Sequence, residues 1–507
     1  MASQTDTANR WPITISIMLA TVMNSIDTTI ANVALPHIQG NVSASSEQIS
    51  WVLTSYIVAA AIMTPLSGWL ADRFGRKRLF LVSIAGFTVA SMLCGIATSL
   101  PELVMFRLLQ GVFGASLIPL SQAVLLDINP PEKHGQAMAI WGAGAILGPI
   151  LGPALGGYLT ENLSWRWCFY INLPIGILAL LGVWFFISGD KVKGQKPFDF
   201  LGFGMLTLFV GGLQLMLDRG PSLDWFSSPE VWAELLVAIV GLWVFVMHTI
   251  TAEHPFFDLR LARDRNFVTA SIFGFFIGIL LFSTMALLPP MMQTLLGYPV
   301  ITAGLVSMPR GIGSLVAMFV VGRLVGRVDT RLILFVGLSI SAFSLWEMMK
   351  FDLSMTSTPL VVTGIIQGFG IGLIFVPLST LAFATVAPEL RAEGSALYTL
   401  IRNIGSSVGI SVIQAMTVSN TQVMHSSLAA QVIPSDPVVR QGLGAALNSA
   451  GGLLGLNAEI TRQATMIAYI DDFKFMFIIT LACMPMLLLM RTPRRGGGAK
   501  VHAVADH

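Results

Sequence analysis

The chain has 507 residues, of which 11% are charged and 54% hydrophobic. An ordinary soluble domain carries roughly a quarter charged residues, so this composition excludes a water-soluble globular protein and indicates an integral membrane one. A formal net charge of +2 gives no reason to expect a nucleic-acid partner.

Runs of about 20 mostly apolar residues, enough to cross a bilayer as a helix, cover nearly the whole chain and number fourteen. The first, 11–34, is too long for the apolar core of a signal peptide and lacks a small-residue cleavage pattern, so it is expected to remain as a span. It contains NSIDTTIAN (24–32), where Asp27 is the one charged residue between Trp11 and Ala34. At about 1.5 Å of rise per residue, Asp27 lies roughly 10 Å below the outer end of its span. An unpaired carboxylate at that depth costs several kcal/mol or takes up a proton. It is either a proton carrier or a hydrogen-bonding tie between helices, and intramembrane ionisable groups are functional by default. Glu234 and Glu347 lie nearer the outer ends. Asn24, one turn before Asp27, is a candidate lining residue of a substrate cavity.

Runs 50–71 and 79–98 are joined by GWLADRFGRKRLF (68–80), a short basic turn holding Gly68, Asp72, Arg73, Gly75 and Arg76. In the fourth run, 102–126, Arg107 lies roughly 8 Å below the outer end, a depth it shares with Asp27. A guanidinium within reach favours the charged carboxylate, and its withdrawal favours the neutral one. The alternative is that Arg107 snorkels to the surface or ties two helices together. Asp127 follows at the inner end of this run. In the fifth run, 136–159, Gly144, Gly148, Gly152 and Gly156 recur every fourth residue, which puts them on one helix face open to another backbone. Pro149 and Pro153 each remove an internal hydrogen bond and are expected to bend the helix.

The remaining runs are 166–188, 198–217, 229–250, 266–290, 300–322, 331–350, 358–383, 394–417 and 471–490. Arg310 in SMPRGIG and Arg402, next to Asn403 in IRNIGSSVG, lie roughly 15 and 12 Å deep. These three are candidate cavity residues, although either arginine can instead bond backbone carbonyls at a helix break. Segment 419–470 is expected to be the one sizeable outer loop, with NTQVMHSSLAAQV able to form helix. Cys94, Cys168 and Cys483 all fall in spans, show no metal-ligand spacing and read as packing residues.

Most of the 29 Lys and Arg lie on the same side as the N-terminus, including RFGRKR (73–78), KVKGQK (191–196), RLARDR (260–265) and the tail. The positive-inside rule then places both termini in the cytoplasm. GRLVGRVDTRLIL (322–334) is a degraded copy of the basic turn, with Gly326 where Asp72 stands. The chain therefore divides into an N-terminal six-helix bundle, 11–188, an inserted helix pair with linkers, 189–265, a C-terminal six-helix bundle, 266–490, and a cytoplasmic tail, 491–507. Two related six-helix halves with a substrate site between them near the midplane are a transporter arrangement.

Several of these stretches together resemble one family. GWLADRFGRKR looks like the loop signature of the major facilitator superfamily, and RLLQGVFGA (107–115) is similar to a second signature of its drug exporters. WGAGAILGPILGPALGGYL (141–159) resembles the motif of the antiporter branches, and IDTTIANVALPHI (26–38) the form found in fourteen-span drug:proton antiporters. LQLMLDRGPSLDWFSS (213–228) is similar to the EmrB type of multidrug efflux protein. The resemblance implies an all-α major facilitator fold and proton-driven efflux of hydrophobic drugs, with H+ as coupling ion and neither metal nor organic cofactor. It assigns Arg107 to proton coupling and the bend of the fifth span to closing the path between halves. It pairs Asp72 with a helix end or basic group, and Arg76 with Asp127 as a latch on the outward-facing state. It also implies a Gram-negative inner membrane, an EmrA-type periplasmic adaptor touching 419–470, and a TolC-type outer-membrane channel.

Other classes have weaker support. GSSVG (405–409) matches a hydrolase pattern, but that pattern needs a strand-turn-helix setting and lies here in an apolar helical run. Neither HExxH nor GxxxxGK[ST] occurs. A channel or scaffold would not need tandem halves, and a nutrient importer would not be expected to carry the antiporter motif. Export of a specific endogenous metabolite is the alternative within transporters. Three intramembrane arginines against one aspartate favour neutral, zwitterionic or weakly acidic amphiphiles over dications.

Overall fold

The computed structural model describes residues 10–44, 46–189, 197–325, 327–432 and 449–490. Apart from one isolated bridge between Val325 and Val328, these residues are helix, turn and loop. The first half comprises α1 (Arg10–Val42), α2 (Ser46–Met63), α3 (Leu66–Phe74), α4 (Arg76–Ile96), α5 (Leu100–Gly114), α6 (Leu117–Ile128), α7 (His134–Asn162), α8 (Trp167–Tyr170) and α9 (Asn172–Phe186). The inserted pair is α10 (Phe200–Arg219) and α11 (Pro229–Thr251), followed by the short α12 (Leu259–Arg263). The second half comprises α13 (Arg265–Thr294), α14 (Val300–Leu324), α15 (Thr330–Met348), α16 (Ser357–Phe383), α17 (Arg391–Gln431) and α18 (Ala450–Cys483).

Among the described residues, 12 helices are long and apolar enough to cross a membrane, or 13 when α2 and α3 count as one span bent by 57°. Pro65 sits at that bend, where its ring and missing N–H interrupt the helix ladder. The fourteenth expected span is α18, whose apolar stretch is diluted by Asp471, Asp472 and Lys474. Gly75, with φ of 84°, makes the turn from α3 to α4 in a conformation that only glycine adopts without cost.

The repeat is visible in the packing. In the first half α1 lies on α7 and α9, α2 on α5, and α4 on α5 and α9; in the second, α13 lies on α17 and α18, α14 on α16, and α15 on α16 and α18. The halves meet where α7 packs on α14 and α16, and where α17 packs on α3 and α6. One apolar core runs through both, joining Trp141 of α7 to Met318 of α14 and Phe375 of α16. The inserted pair clips both halves through α10. Gln214 accepts from Ser407 of α17 at 2.8 Å, the Leu217 carbonyl accepts from Ser411 of α17 at 2.6 Å, and Asp218 accepts from Thr54 of α2.

One expectation needs correction. Segment 419–470 is not a loop along most of its length: α17 continues to Gln431 and α18 begins at Ala450. His425 and Asn457 join the two extensions at 3.0 Å. Hydropathy registers only the apolar part of a helix, whereas polar turns continue helical when a neighbouring helix takes up one face. Helix α7 runs unbroken through Pro149 and Pro153, and its glycine stripe faces α1 of its own half, the close backbone approach that the four-residue spacing implied. A Cβ on Gly148 would lie 2.2 Å from the Ser25 carbonyl carbon, and one on Gly152 would lie 2.0 Å from Thr29 Oγ1. The approach is close enough for Thr29 to donate to the Gly148 carbonyl at 3.1 Å. The α14 seam uses a different face of α7, with Gly135, Gly142 and Ala154. Gly326, KVKGQK, the tail 491–507 and residues 433–448 lie outside the described residues.

This seam yields a stability prediction. Gly148→Val forces α1 and α7 apart against backbone, so we expect a loss of about 1–3 kcal/mol, the usual cost of overpacking, or more. Gly204→Ala, where nothing lies within 4 Å of the added carbon, is expected to be neutral or slightly stabilising in its helix. Thermal unfolding of the purified variants checks both.

Candidate functional site

Helix α1 carries Asp27 into the interior of the first half, where it is 0% exposed. Three donors converge on its carboxylate. Arg107 Nη1 reaches Oδ2 at 2.7 Å, while Gln110 Nε2 and Asn172 Nδ2 each reach Oδ1 at 2.8 Å. Arg107 and Gln110 come from α5, where the spacing of three residues puts them on one face, and Asn172 opens α9. The Gln110 amide orientation follows from chemistry: its oxygen accepts from Arg107 at 2.7 Å, and a guanidinium has no acceptor. The nitrogen is therefore left for Asp27. A carboxylate that only accepts is what this arrangement fits.

The surrounding groups hold these donors in place. Arg107 Nε donates to the Val52 carbonyl at 3.1 Å, and its guanidinium lies 4.3 Å from the Tyr56 ring centroid. Tyr56 donates to Asn24 Oδ1 at 2.9 Å, and Asn24 donates to the Gly114 carbonyl at 3.4 Å. The amide of Asn172 also donates to Ser91 Oγ at 2.9 Å, and Ser91 donates to the Phe169 carbonyl at 2.9 Å. Arg107 is 1% exposed, and Gln110, Asn172 and Ser91 are each 0%. Helices α1, α2, α4, α5 and α9 therefore share one dry polar network, in which the pairing of Asp27 and Arg107 at a common depth was legible in the sequence. Gln110, Asn172, Ser91 and Tyr56 were missed, although Gln110 stands inside the quoted RLLQGVFGA. Asn24 turns into this network, so the structure does not place it as a lining residue between the halves.

A second cluster joins the halves at the end bearing the basic turn. Asp127, closing α6, is held by two arginines: Arg76 of α4 on one oxygen and Arg391 of α17 on the other at 2.7 Å. The Arg76 pairing was expected, whereas Arg391, from the other half, was not. Around it, Ser395 of α17 donates to Gln122 of α6 at 2.6 Å, and α17 lies so near α3 that a Cβ on Gly68 would be 2.9 Å from the Glu393 Cα. Asp72 and Arg73 stand in the last turn of α3, with the Arg73 guanidinium 5.2 Å from the Trp69 ring centroid.

The buried cations of the second half are arranged differently. Arg310 of α14 donates to the Leu281 carbonyl of α13 at 3.2 Å, the carbonyl-bonding option rather than an open one. Arg402 of α17 lies 5.6 Å from the Phe375 ring centroid, and that ring stacks on Trp141 of the first half at 5.7 Å. Arg402 thus stands behind an aromatic contact between the halves, with half-buried Asn403 beside it. The three cysteines are free and buried. Among the described residues no group of His, Cys, Asp and Glu is placed to hold a metal ion.

Two repeated six-helix bundles, joined at one end by a shared carboxylate and each burying charged side chains, are the architecture of a two-bundle membrane transporter. The sequence pattern of the Major Facilitator Superfamily matches residues 17–410, and the chain belongs to that family. It is 36% identical over 499 residues to the multidrug export protein EmrB of Escherichia coli K12, covering 96% of this chain and 97% of that one. It is 35% identical, with the same coverage, to the fatty acid resistance protein FarB of Neisseria gonorrhoeae. Among solved structures, the proton:xylose symporter XylE matches the fold with a TM-score of 0.60 at 14% identity, over 93% of this chain and 96% of that one. The chain is accordingly a multi-span membrane transporter, not an enzyme.

Proposed function

We propose that the protein exports hydrophobic toxic compounds from the cytoplasm or the inner leaflet in exchange for protons, from a bacterial inner membrane with both termini cytoplasmic. The Asp27 site carries this reading. It is a carboxylate held by three donors in a dry interior, one of them an arginine whose displacement would leave the charge unsupported and ready to accept a proton. The names of the relatives support drugs as cargo, and the distribution of Lys and Arg supports the orientation. On that orientation the Arg76–Asp127–Arg391 cluster closes the cytoplasmic end. Drug enters while Asp27 is charged, the halves rock, and protonation of Asp27 from outside accompanies release. Arg310 and Arg402 favour neutral, zwitterionic or weakly acidic amphiphiles over dications. An EmrA-type adaptor, meeting the paired extensions of α17 and α18, and a TolC-type channel would complete the path out of the cell.

The test is flux in proteoliposomes containing the purified protein alone. An imposed proton gradient is expected to drive uphill movement of a lipophilic weak acid, and a protonophore to abolish it. Equal flux with and without the gradient would refute proton coupling.

The latch gives a separate prediction. With Asp127→Asn, two guanidinium groups face each other across the halves without their shared anion, so the closed end opens more often. Each 1.4 kcal/mol lost shifts the ratio of the two states about tenfold. Spin labels placed on α3 and α17 are expected to report a longer mean distance in the variant.

A further inference from the structure

A second carboxyl group, in the other half, is built in the opposite way to Asp27. Asp472 of α18 is 0% exposed. Its Oδ1 has no hydrogen-bond partner among the described residues, and its Oδ2 touches only the Thr417 hydroxyl of α17. Among the described residues no cation pairs with it. The Thr417 hydroxyl also lies 2.9 Å from the Ile413 carbonyl. A hydroxyl has one proton to donate and two lone pairs to accept with. A carbonyl can only accept, so when Thr417 gives its one proton to Ile413, the contact with Asp472 is a hydrogen bond with Asp472 as the neutral donor; with that proton turned to Asp472, the hydroxyl is the one donor the carboxyl has. A carboxylate here would be buried with that one donor and with no counter-ion among the described residues, an arrangement that leaves its charge uncompensated and favours the neutral acid.

The neighbouring charges agree. Next to Asp472 on its own helix are Asp471, of like charge, Tyr469 and the exposed Lys474. From α17 the nearest titratable group outward is His425, two turns beyond Thr417 and bonded to Asn457. Helix α15 ends in Glu347, which pairs with Lys350 at 2.6 Å, and α13 has none after Arg265. The place in the fold also matters. Phe473 packs on Phe351 just past the end of α15, 5.9 Å between centroids, so Asp472 sits at the end of the bundle opposite the Asp127 latch. There α17 and α18 leave the core as paired extensions, and α17 is the same helix that carries Arg391 and Arg402.

We propose that Asp472 is a second proton-exchanging carboxyl, protonated in this conformation and released when α17 moves against α18, so that each half of the transporter carries one titrating acid. This rests on the proton-driven reading above, and the test separates the two. Infrared difference spectra of the full chain in lipid vesicles at neutral pH are expected to contain the carbonyl stretch of a protonated carboxyl. Asp472→Asn should remove it, Asp27→Asn should leave it, and Thr417→Val, which takes away its one hydrogen-bond partner, should shift it. No such band, or one unchanged by Asp472→Asn, overturns the proposal. In proteoliposomes, Asp472→Asn is further expected to lower the number of protons exchanged per drug by one while drug binding persists. A band assigned to Asp472 with an unaltered proton count would make it a fixed structural acid and also overturn the proposal. Absence of proton-coupled flux in the native chain would instead remove the reading of Asp27, while the band would still decide the protonation of Asp472.

Discussion

Replacing Asp27 by Asn is expected to reduce gradient-driven drug accumulation in everted vesicles to the background of vesicles without the protein, with drug binding retained. Asn matches Asp in shape and keeps one oxygen that can accept from Gln110 or Asn172, so the network of α1, α5 and α9 keeps its outline. It cannot carry a proton on and off. Full transport by this variant would exclude Asp27 as the coupling group, and transport lost together with binding would show that the site holds the drug rather than the proton.

The second large effect concerns Arg107. Removing one partner of a buried ion pair leaves the other uncompensated and costs about 3–5 kcal/mol. In Arg107→Gln, Asp27 keeps two amide donors but loses the one cation that pairs with it among the described residues. We expect a marked drop in thermal unfolding temperature and loss of drive. In the double variant Asp27→Asn, Arg107→Gln, no charge is left buried, so unfolding temperature should recover most of the way while transport stays absent. A double variant less stable than Arg107→Gln would mean that the pair is not the energetic unit described. The recovery distinguishes an electrostatic role from simple packing, because the double variant removes more native groups than the single one.

How much of this was legible beforehand depended on the kind of residue. Asp27, Arg107 and Asp127 stand out because a charge inside an apolar run is conspicuous and its depth follows from helix rise alone. Gln110, Asn172, Ser91 and Tyr56 do not, since uncharged polar residues occur throughout these spans and most of them bond their own helix, as Thr21 and Thr88 do with the carbonyls of Ile17 and Ile84. Asp472 escaped because it stands at the margin of the last apolar run, where hydropathy places the membrane edge. The early start of α18 escaped for the same reason, being polar and held by the mate helix, whereas the continuation of α17 falls on the NTQVMHSSLAAQV stretch that reads as able to form helix. Arg391 was unreadable as a latch residue, because its partner lies 264 residues away in the chain.

The sequence by itself determined the class of protein, the order of the long apolar helices and the relation between the halves. These follow from composition, period and a constant rise per residue, which are properties of a helix taken alone. Only the tertiary structure decided which donors reach Asp27, that the glycine stripe of α7 faces α1, that Asp127 is shared between halves, and that no cation among the described residues pairs with Asp472. Each of those depends on the rotation of one helix about its axis and on the identity of its neighbour. Packing between distant segments sets both, and no local pattern encodes them.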